Sequence, residues 1–519
     1  MGLTAVPGGS SGFELQNTAH EPAAESLYLR AVLADILAQE SELSYSPRAS
    51  DLRRLLAECL CQSLESAETA GGRVLTAGLL LLMFGSGLAV ATTTLGPKAL
   101  RAPVALFNGM YILTIAIGAT ILTFPGVKEF WTVIYPTMDD KWLTGSGAYG
   151  YWFLVWGPML VTNLSAVIFY PGLRRAGVQF ARLINIRVDI FPAACAGFSM
   201  AIYCFANLAL RGYSSVSVFS GKSIGIYREN ILLRVEMFNS LGTLHFACIY
   251  MGIPAIAMVA LYNFSRRRSP AWLTLFVVLS GILVFMYSAT LTKSNVLIYG
   301  LEVTIGAGLL GLIGFRGMIL AATLGILTLS ILMSLLAGND PLDLALAGLN
   351  LIFREASGVP FYLGIYPDQV PFTGIDLGLR QFGVGPEVSA NLTVANYMSP
   401  ESTWVQSSAA IAAHIASYAQ GGFAWSFVTM VAAGAWIAFA GQIKRIAHGA
   451  VVFSAFMGAM TTCYYLTQAD FVGAFTVAYG YKWWIAALLL LIGIQTLMQR
   501  AIRPSIHAKA RGDVQGAAL

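Results

Sequence analysis

Long runs of apolar residues, separated by short polar connections, dominate the chain from residue 74 onward. The runs are about 20 residues long, which is enough for an α-helix to cross a bilayer and roughly twice the length of a barrel strand. Backbone groups inside hydrocarbon must bond within their own segment, so the runs predict membrane-spanning helices. We predict about 11–12 spans; the eleven that can be bounded are 74–94, 103–124, 151–171, 190–210, 241–264, 271–291, 296–315, 318–337, 424–441, 449–467 and 483–498.

Composition agrees with this pattern and excludes a soluble protein. Hydrophobic residues make up 57% of the chain and charged residues 11%, and the mean hydropathy is +0.68, which is too apolar for a water-exposed surface. The six cysteines show neither metal-ligand spacing nor a disulfide framework. The predicted fold class is therefore all-α, a polytopic transmembrane helical bundle, and we expect no nucleic-acid partner.

The first 72 residues differ from the rest of the chain. They contain no lysine and an excess of acidic residues, and two patches, 23–39 and 49–64, carry apolar residues at helical spacing. Both patches are too short to span, so we predict amphipathic helices that lie on a partner or on the bilayer. No basic-then-apolar pattern of a signal peptide opens the chain. A solvated tail with a small helical hairpin is the simpler alternative.

Basic residues identify the side on which the connections lie. The connections "RRAGVQFARLINIR", "SRRRS", "FRG" and "QIKRIAHG" and the tail 501–519 are basic, and they fall on one side if the spans alternate. The positive-inside tendency assigns that side to the cytoplasm. Residues 73–337 then form helices with external loops, 338–423 a large external loop and 424–500 the last helices. The side of the N-terminal segment stays open.

The external loop 338–423 is the longest interruption of the apolar pattern, at roughly 85 residues, and long ordered loops are usually functional. Its stretch 351–382, "LIFREASGVPFYLGIYPDQVPFTGIDLGLRQF", is rich in charge, glycine and proline. Later in the loop we predict a helix over 403–419 that stops at Gly421 and Gly422 and places His414 and Tyr418 on one face.

Four of the cations in predicted external connections are candidates for binding an anion: Arg228, Arg354, Arg380 and Lys293. A guanidinium binds phosphate oxygens at two points and keeps its charge at any relevant pH. The alternative for each is a long side chain that reaches the lipid headgroups and has no other role.

Glu302 falls in the middle of the predicted span 296–315. An ionisable group at that depth is costly and is a functional candidate by default. The alternative is a protonated or hydrogen-bonded carboxyl in the core.

The order of these features resembles the Wzy-type polymerases of bacterial surface polysaccharide, in the O-antigen polymerase and ligase superfamily. The resemblance covers about residues 210–441 and rests on four stretches in sequence: "GIYREN", "TLTKSNVL", "LIFREASG" and "HIASYAQGGFAWSF". It implies a GT-C-like, metal-independent glycosyltransferase without a cofactor in the bacterial inner membrane. Donor and acceptor would both be oligosaccharides linked to polyprenyl diphosphate.

The resemblance also implies roles for residues of this chain. The growing charge of a diphosphate leaving group needs cations, and the acceptor hydroxyl needs a base, which His414, Glu355 and Asp368 could each supply. The catalytic candidates are Arg354, Glu355, His414 and Asp368; the candidates for binding diphosphate or sugar are Arg228, Arg380, Lys293, Tyr227 and Tyr418. No D-x-D motif of a metal site is evident in the external loops.

Two features depart from the family pattern. Lys293 stands where such proteins often have arginine. Its ammonium is a point charge, whereas a planar guanidinium can bind a phosphate at two points. The first 72 residues look like an addition, and their position suggests a docking element for a chain-length regulator or an export protein. The alternatives are an O-antigen ligase, a transporter of lipid-linked sugar or polysaccharide, for which we would expect repeats and several ionisable midplane residues, and a non-catalytic scaffold.

Overall fold

The computed structural model describes residues 83–94, 96–123, 146–213, 227–290, 293–314, 316–318, 320–321, 323–324, 356, 358–375, 390–398, 411–477 and 479–516. Every regular element among them is a helix. In chain order, after a helix over 83–94, these are α1 Arg101–Ile121, α2 Ser146–Gly172, α3 Arg174–Ile184, α4 Ile190–Leu210, α5 Tyr227–Ala247, α6 Ile253–Arg267, α7 Pro270–Ala289, α8 Lys293–Leu309, α9 Gly358–Ile365, α10 Ala390–Met398, α11 Ala413–Arg445, α12 Ala450–Tyr465, α13 Gly473–Thr476 and α14 Tyr481–Gly516.

Seven helices in the described part of the chain are long and apolar enough to cross a membrane. They are Arg101–Ile121, Tyr149–Gly172, Ile190–Leu210, Glu236–Arg267, Pro270–Ala289, Ala413–Arg445 and Gly473–Arg500. Each coincides with a predicted span, so the all-α, multi-pass membrane fold is confirmed.

Four predicted spans differ from the structure in length or cannot be compared with it. The predicted spans 296–315 and 449–467 correspond to the shorter apolar helices Asn295–Leu309 and Ala450–Tyr465. The span 74–94 is described as a helix only from residue 83, and most of the span 318–337 lies outside the described residues. The N-terminal segment 1–72, with its two predicted amphipathic helices, also lies outside them.

The centre of the bundle is formed by α6 and α12. Residues 253–263 of α6 and nearly all of α12 are buried on every face, which is the pattern of a helix surrounded by other helices. The hydroxyl of Ser454 on α12 donates to the carbonyl of Ala255 on α6, at 2.7 Å. A polar group in a membrane interior is satisfied in this way by a backbone group of the neighbouring helix.

The helices α2 and α11 run side by side in the same direction. Phe423 contacts Gly150 near the start of both helices, and Gly434 faces Ser165 further along. A methyl group on Gly434 would lie 2.5 Å from the backbone oxygen of Thr162, so the two backbones approach closely only because position 434 has no side chain. Small residues allow the same close approach in other membrane helix pairs.

Three of the connections that are basic in the sequence, and the helix that leads to the basic tail, meet at one end of the bundle. Three contacts join them there: Tyr262 donates to the carbonyl of His448, Gln442 donates to the carbonyl of Tyr170, and Gln495 donates to Asp189. The amphipathic α3 lies at this end, with Gly177, Ala181 and Ile184 buried and its arginines exposed. By the positive-inside tendency this end is expected to face the cytoplasm.

The opposite end carries the described parts of the long loop. The helix α9 packs against α2, α10 and α11. The start of α11 is tied to the end of α12 by a hydrogen bond from the Ala413 N–H to the Leu466 carbonyl, at 3.0 Å. A segment of the loop is therefore folded onto the end of the bundle that lies away from the basic connections.

Candidate functional site

The nine candidate residues fall into three groups of three. Arg354, Glu355 and Arg380 lie outside the described residues. Tyr227, Arg228 and Lys293 begin helices α5 and α8, and only their backbones belong to the described structure. Asp368, His414 and Tyr418 are described with their side chains. Tyr418 bonds to the backbone near Asp368, whereas His414 faces α1 and α2. The roles of all nine stay predictions.

Asp368 lies in the turn that follows α9. The turn is closed by hydrogen bonds from the N–H groups of Gln369 and Val370 to the carbonyl of Ile365, at 2.9 and 3.0 Å. The carboxyl residue itself is exposed. Asp368 is therefore presented to solvent on a turn with a fixed backbone.

Tyr418 holds this turn to α11. Its hydroxyl donates to the carbonyl of Tyr366, at 3.0 Å, and the residue is buried. Its ring packs edge-on against Phe372 and tilted against Phe423, with centroids 5.9 and 4.8 Å apart. The hydroxyl and both sides of the ring are thus used in packing, which leaves little of Tyr418 to stack on a sugar.

His414 is enclosed by α1 and α2. Its Nε2 lies 2.7 Å from the carbonyl of Leu154 and 3.3 Å from the hydroxyl of Tyr111. A carbonyl can only accept, so Nε2 carries the proton and donates to Leu154. The Tyr111 hydroxyl donates in turn to the carbonyl of Val155, at 2.9 Å. With 4% of its surface exposed, His414 is well placed to clamp α11 to α2 and poorly placed to meet a sugar hydroxyl.

Neighbouring residues of the loop hold the helix that precedes the turn of Asp368 in place. The hydroxyl of Tyr362 donates to the side-chain oxygen of Asn391 on α10, at 2.5 Å. Burial raises the pKa of the Tyr362 phenol well above its ordinary value, so the hydroxyl keeps its proton and remains a donor. This hydrogen bond therefore joins α9, which leads into the turn, to α10.

The chain breaks sharply between the two parts of α11. Gly421 and Gly422 have non-helical backbone angles, and φ of Gly422 is +69° with ψ of −161°, a region that essentially only glycine adopts. The predicted stop at these two glycines is confirmed. The predicted helix over 403–419 is wrong in its extent, because residues 411 and 412 are not helical and the helix begins at Ala413. Thr429 donates to Ser417 across the break, at 2.8 Å. Residues twelve apart could not meet in a straight helix, so the first part of α11 folds back on the second.

A second break, which the sequence analysis did not predict, lies in α5. Gly242 has φ of +77° and ψ of +165° inside the otherwise helical run. Asn207 of α4 donates to the carbonyl of Leu241 at this break, at 2.9 Å, and the same amide nitrogen is 3.4 Å from Nδ1 of His245. A single glycine in "NSLGTLHF" is a weak signal for a break, because glycine also occurs inside ordinary helices.

Glu302 occupies the interior of the bundle, as its position in the sequence predicts. It is buried, and the hydroxyl of Thr461 on α12 lies 2.6 Å from one of its carboxyl oxygens. Among the described residues it is the one buried Asp, Glu, Lys or Arg side chain. The contact joins α8 to α12.

The described residues contain no cluster of three or more His, Cys, Asp or Glu side chains that could hold a metal ion. No family model, curated protein or solved structure matches this chain.

Proposed function

We propose that the chain is an integral membrane glycosyltransferase. It would polymerise oligosaccharide repeat units linked to polyprenyl diphosphate, on the outer face of the bacterial inner membrane. The observation that carries this proposal is the exposed carboxyl of Asp368, which is presented on a fixed turn at the end of the bundle away from the basic connections.

The proposed reaction is a direct displacement at the anomeric carbon of the donor. The acceptor hydroxyl attacks, its proton passes to a carboxylate, and the bond from the anomeric carbon to the diphosphate oxygen breaks. Asp368 suits the role of the base better than His414, because its carboxylate is exposed whereas the Nε2 of His414 is buried against a carbonyl.

The leaving diphosphate gains charge as its bond to the sugar breaks, so cations near it lower the barrier. Four cations of the predicted external connections are the candidates for this role, namely Arg228, Lys293, Arg354 and Arg380. Two of these, Arg354 and Arg380, flank Asp368 in the same stretch of the loop, which supports a shared site. Both sugar-linked lipids would reach this site from the bilayer.

The proposal is tested by complementing a deletion strain and reading polysaccharide length on a gel. We expect Asp368→Asn, Arg354→Ala and Arg380→Ala to leave only single lipid-linked repeat units, with each variant present in the membrane at the normal level. Gln369→Ala is the matched control, since Gln369 is exposed in the same turn and has no proposed role. Polymer of normal length in all three variants would refute the assignment of the site.

A ligase of the same superfamily would use the same donor and differ in its acceptor. Purified protein in vesicles, given only lipid-linked repeat units, separates the two. Chain extension without any other acceptor supports the polymerase, whereas extension that requires a lipid core supports the ligase.

The burial of Glu302 among spanning helices favours a second candidate, a transporter of lipid-linked sugar or polysaccharide. Such transporters usually place several ionisable residues near the midplane, and the described residues hold one buried acid. Flipping of a fluorescent lipid-linked oligosaccharide in vesicles, lost in Glu302→Leu and retained in Asp368→Asn, would favour transport over transfer.

A further inference from the structure

The segment 371–375 is a short stretch without regular secondary structure that is fixed to the break in α11. The N–H of Thr373 donates to the carbonyl of Ala419, at 2.9 Å. The Phe372 ring contacts Tyr418, and a methyl group on Gly422 would lie 3.3 Å from it. The segment therefore keeps a set position next to the point where the spanning part of α11 begins.

Two large apolar side chains of this segment stay exposed although the backbone is held. Phe372 is 39% exposed and Ile375 is 45% exposed. The spanning part of α11 exposes Phe423 and Phe427 at similar levels. In a multi-pass membrane protein, exposed apolar side chains on a spanning helix face lipid.

The exposed side chains of the loop segment adjoin those of the spanning helix. Tyr418 contacts both Phe372 and Phe423, so the loop segment and the start of the spanning helix are joined by a shared aromatic neighbour. The exposed apolar residues Phe372, Ile375, Phe423 and Phe427 thus lie partly on the loop segment and partly on α11.

We propose that Phe372 and Ile375 insert into the outer interface of the bilayer and anchor the loop there. The surface that these residues offer fits lipid better than a sugar or a polar protein partner. Thr373 is the one polar side chain in "PFTGI", and its hydroxyl already lies near the carbonyls of Gly374 and Ala419, at 3.3 and 3.4 Å. A sugar site would need free hydrogen-bonding groups.

The anchor sets the depth of the turn that carries Asp368. Asp368 precedes Phe372 by four residues, so a segment inserted at the interface holds the carboxyl near the level of the lipid headgroups. This consequence rests on the proposed function, in which the donor's diphosphate lies at that level. The insertion itself does not depend on any activity.

The test uses the full chain in phospholipid vesicles with an environment-sensitive fluorophore on Ile375→Cys. We expect blue-shifted emission that is quenched by lipids carrying a nitroxide near the headgroup and protected from aqueous iodide. Gln369→Cys, on the exposed turn, is the matched control and should be quenched by aqueous iodide without a blue shift, because its label would lie outside the hydrocarbon. The unsubstituted chain, treated with the same reagent, gives the background from the native cysteines.

Phe372→Cys provides a second labelled position. Because this substitution removes the ring contact with Tyr418, the result at Ile375→Cys is the one that tests the proposal. Quenching of Ile375→Cys by iodide as strong as that of Gln369→Cys would overturn the proposal. Protection from both quenchers would also overturn it, because the segment would then be covered by protein.

An activity measurement separates the anchor from the proposed function. If both hold, Ile375→Asp shortens or abolishes the polymer and Ile375→Phe retains it. If Asp368→Asn leaves the polymer unchanged, the proposed function fails, whereas lipid quenching at position 375 still supports the anchor.

Discussion

The helices α5 and α11 are both interrupted at a glycine, and the contacts around the two breaks differ. Both contain a glycine with positive φ, Gly242 and Gly422, in a backbone region closed to other residues. Each break precedes a helical run into the membrane, which ends at Arg267 in one case and at Arg445 in the other. The two glycines have similar backbone angles, but the break in α11 also includes the non-helical Gly421.

The surroundings of the two breaks differ. At the break in α11 the loop backbone, Tyr418 and the pair Ser417 and Thr429 all bond across or beside the glycines. At the break in α5 one amide, Asn207, meets both the Leu241 carbonyl and the ring of His245.

The two histidines show the same contrast. Nε2 of His414 donates to a carbonyl, whereas Nε2 of His245 has no hydrogen-bond partner in the described part of the chain although it is buried. Among the described residues, several elements bond to the break in α11, whereas the break in α5 has a buried Nε2 of His245 without a hydrogen-bond partner.

Replacing the glycines should have the largest effect. We expect Gly422→Ala and Gly242→Ala each to cost about 1–3 kcal/mol of backbone strain. Gly422→Ala should cost more, because the new methyl group also presses on Phe372, while the space around Gly242 is open. Thermal unfolding in detergent, with the folded fraction in membranes, measures the difference.

Gly493→Ala is the control for this pair, since Gly493 lies within α14 with open space around it. If Gly422→Ala unfolds at the same temperature as Gly493→Ala, the break does not need glycine. Gly422→Ala combined with Phe372→Ala should recover only the part of the loss that arises from the ring contact.

Replacing the histidines should have the next largest effect. We expect His414→Leu to destabilise the fold by about 1–3 kcal/mol, because a buried carbonyl loses its closest donor. His245→Leu should cost less than about 1 kcal/mol, because only the long contact with Asn207 is lost. The measurement is again unfolding in detergent.

His448→Leu serves as the baseline for both histidine variants, because His448 is exposed. Equal losses in His414→Leu and His245→Leu would remove the contrast between the two breaks. A pronounced loss of polymer in a fully folded His414→Leu variant would instead return His414 to the list of catalytic candidates.

The hydrogen bond across the break in α11 should have the smallest effect. We expect Thr429→Val to cost about 0.5–1 kcal/mol, the usual range for a side-chain hydrogen bond inside a membrane protein. Ser417→Ala should cost a similar amount, and the double variant no more than one of them. Thr304→Val, whose hydroxyl makes an exposed hydrogen bond within its own helix, is the control. Additive losses would show that the two side chains act separately.

Hydropathy was enough to predict the seven long spans of the described residues, and the glycine pair was enough to predict the stop, because both signals are local. The length of an apolar run is visible in the sequence, and the pair Gly421 and Gly422 follows a helical pattern directly. The single Gly242 carries no such signal, so the break in α5 was missed.

The candidate site could be predicted only in part, because its contacts join distant residues. The sequence presents His414 as a loop histidine and therefore as a base. Its main partner, Leu154, is 260 residues away, and no local pattern indicates that the ring would be enclosed. Tyr418 was treated as a sugar-stacking residue for the same reason, whereas the exposure of Asp368 follows from a turn rich in proline and glycine.

The close pairing of α2 with α11 affects how the protein is made. Thr162 bonds to the carbonyl of Met430, 268 residues later in the chain. At the usual rate of synthesis, about 5–20 residues per second, α2 enters the membrane roughly 13–54 seconds before α11 exists. During that interval the face of α2 that later receives Gly434 must be covered by lipid or by a membrane chaperone. The order of insertion, and not only the final packing, therefore limits which residues that face can carry.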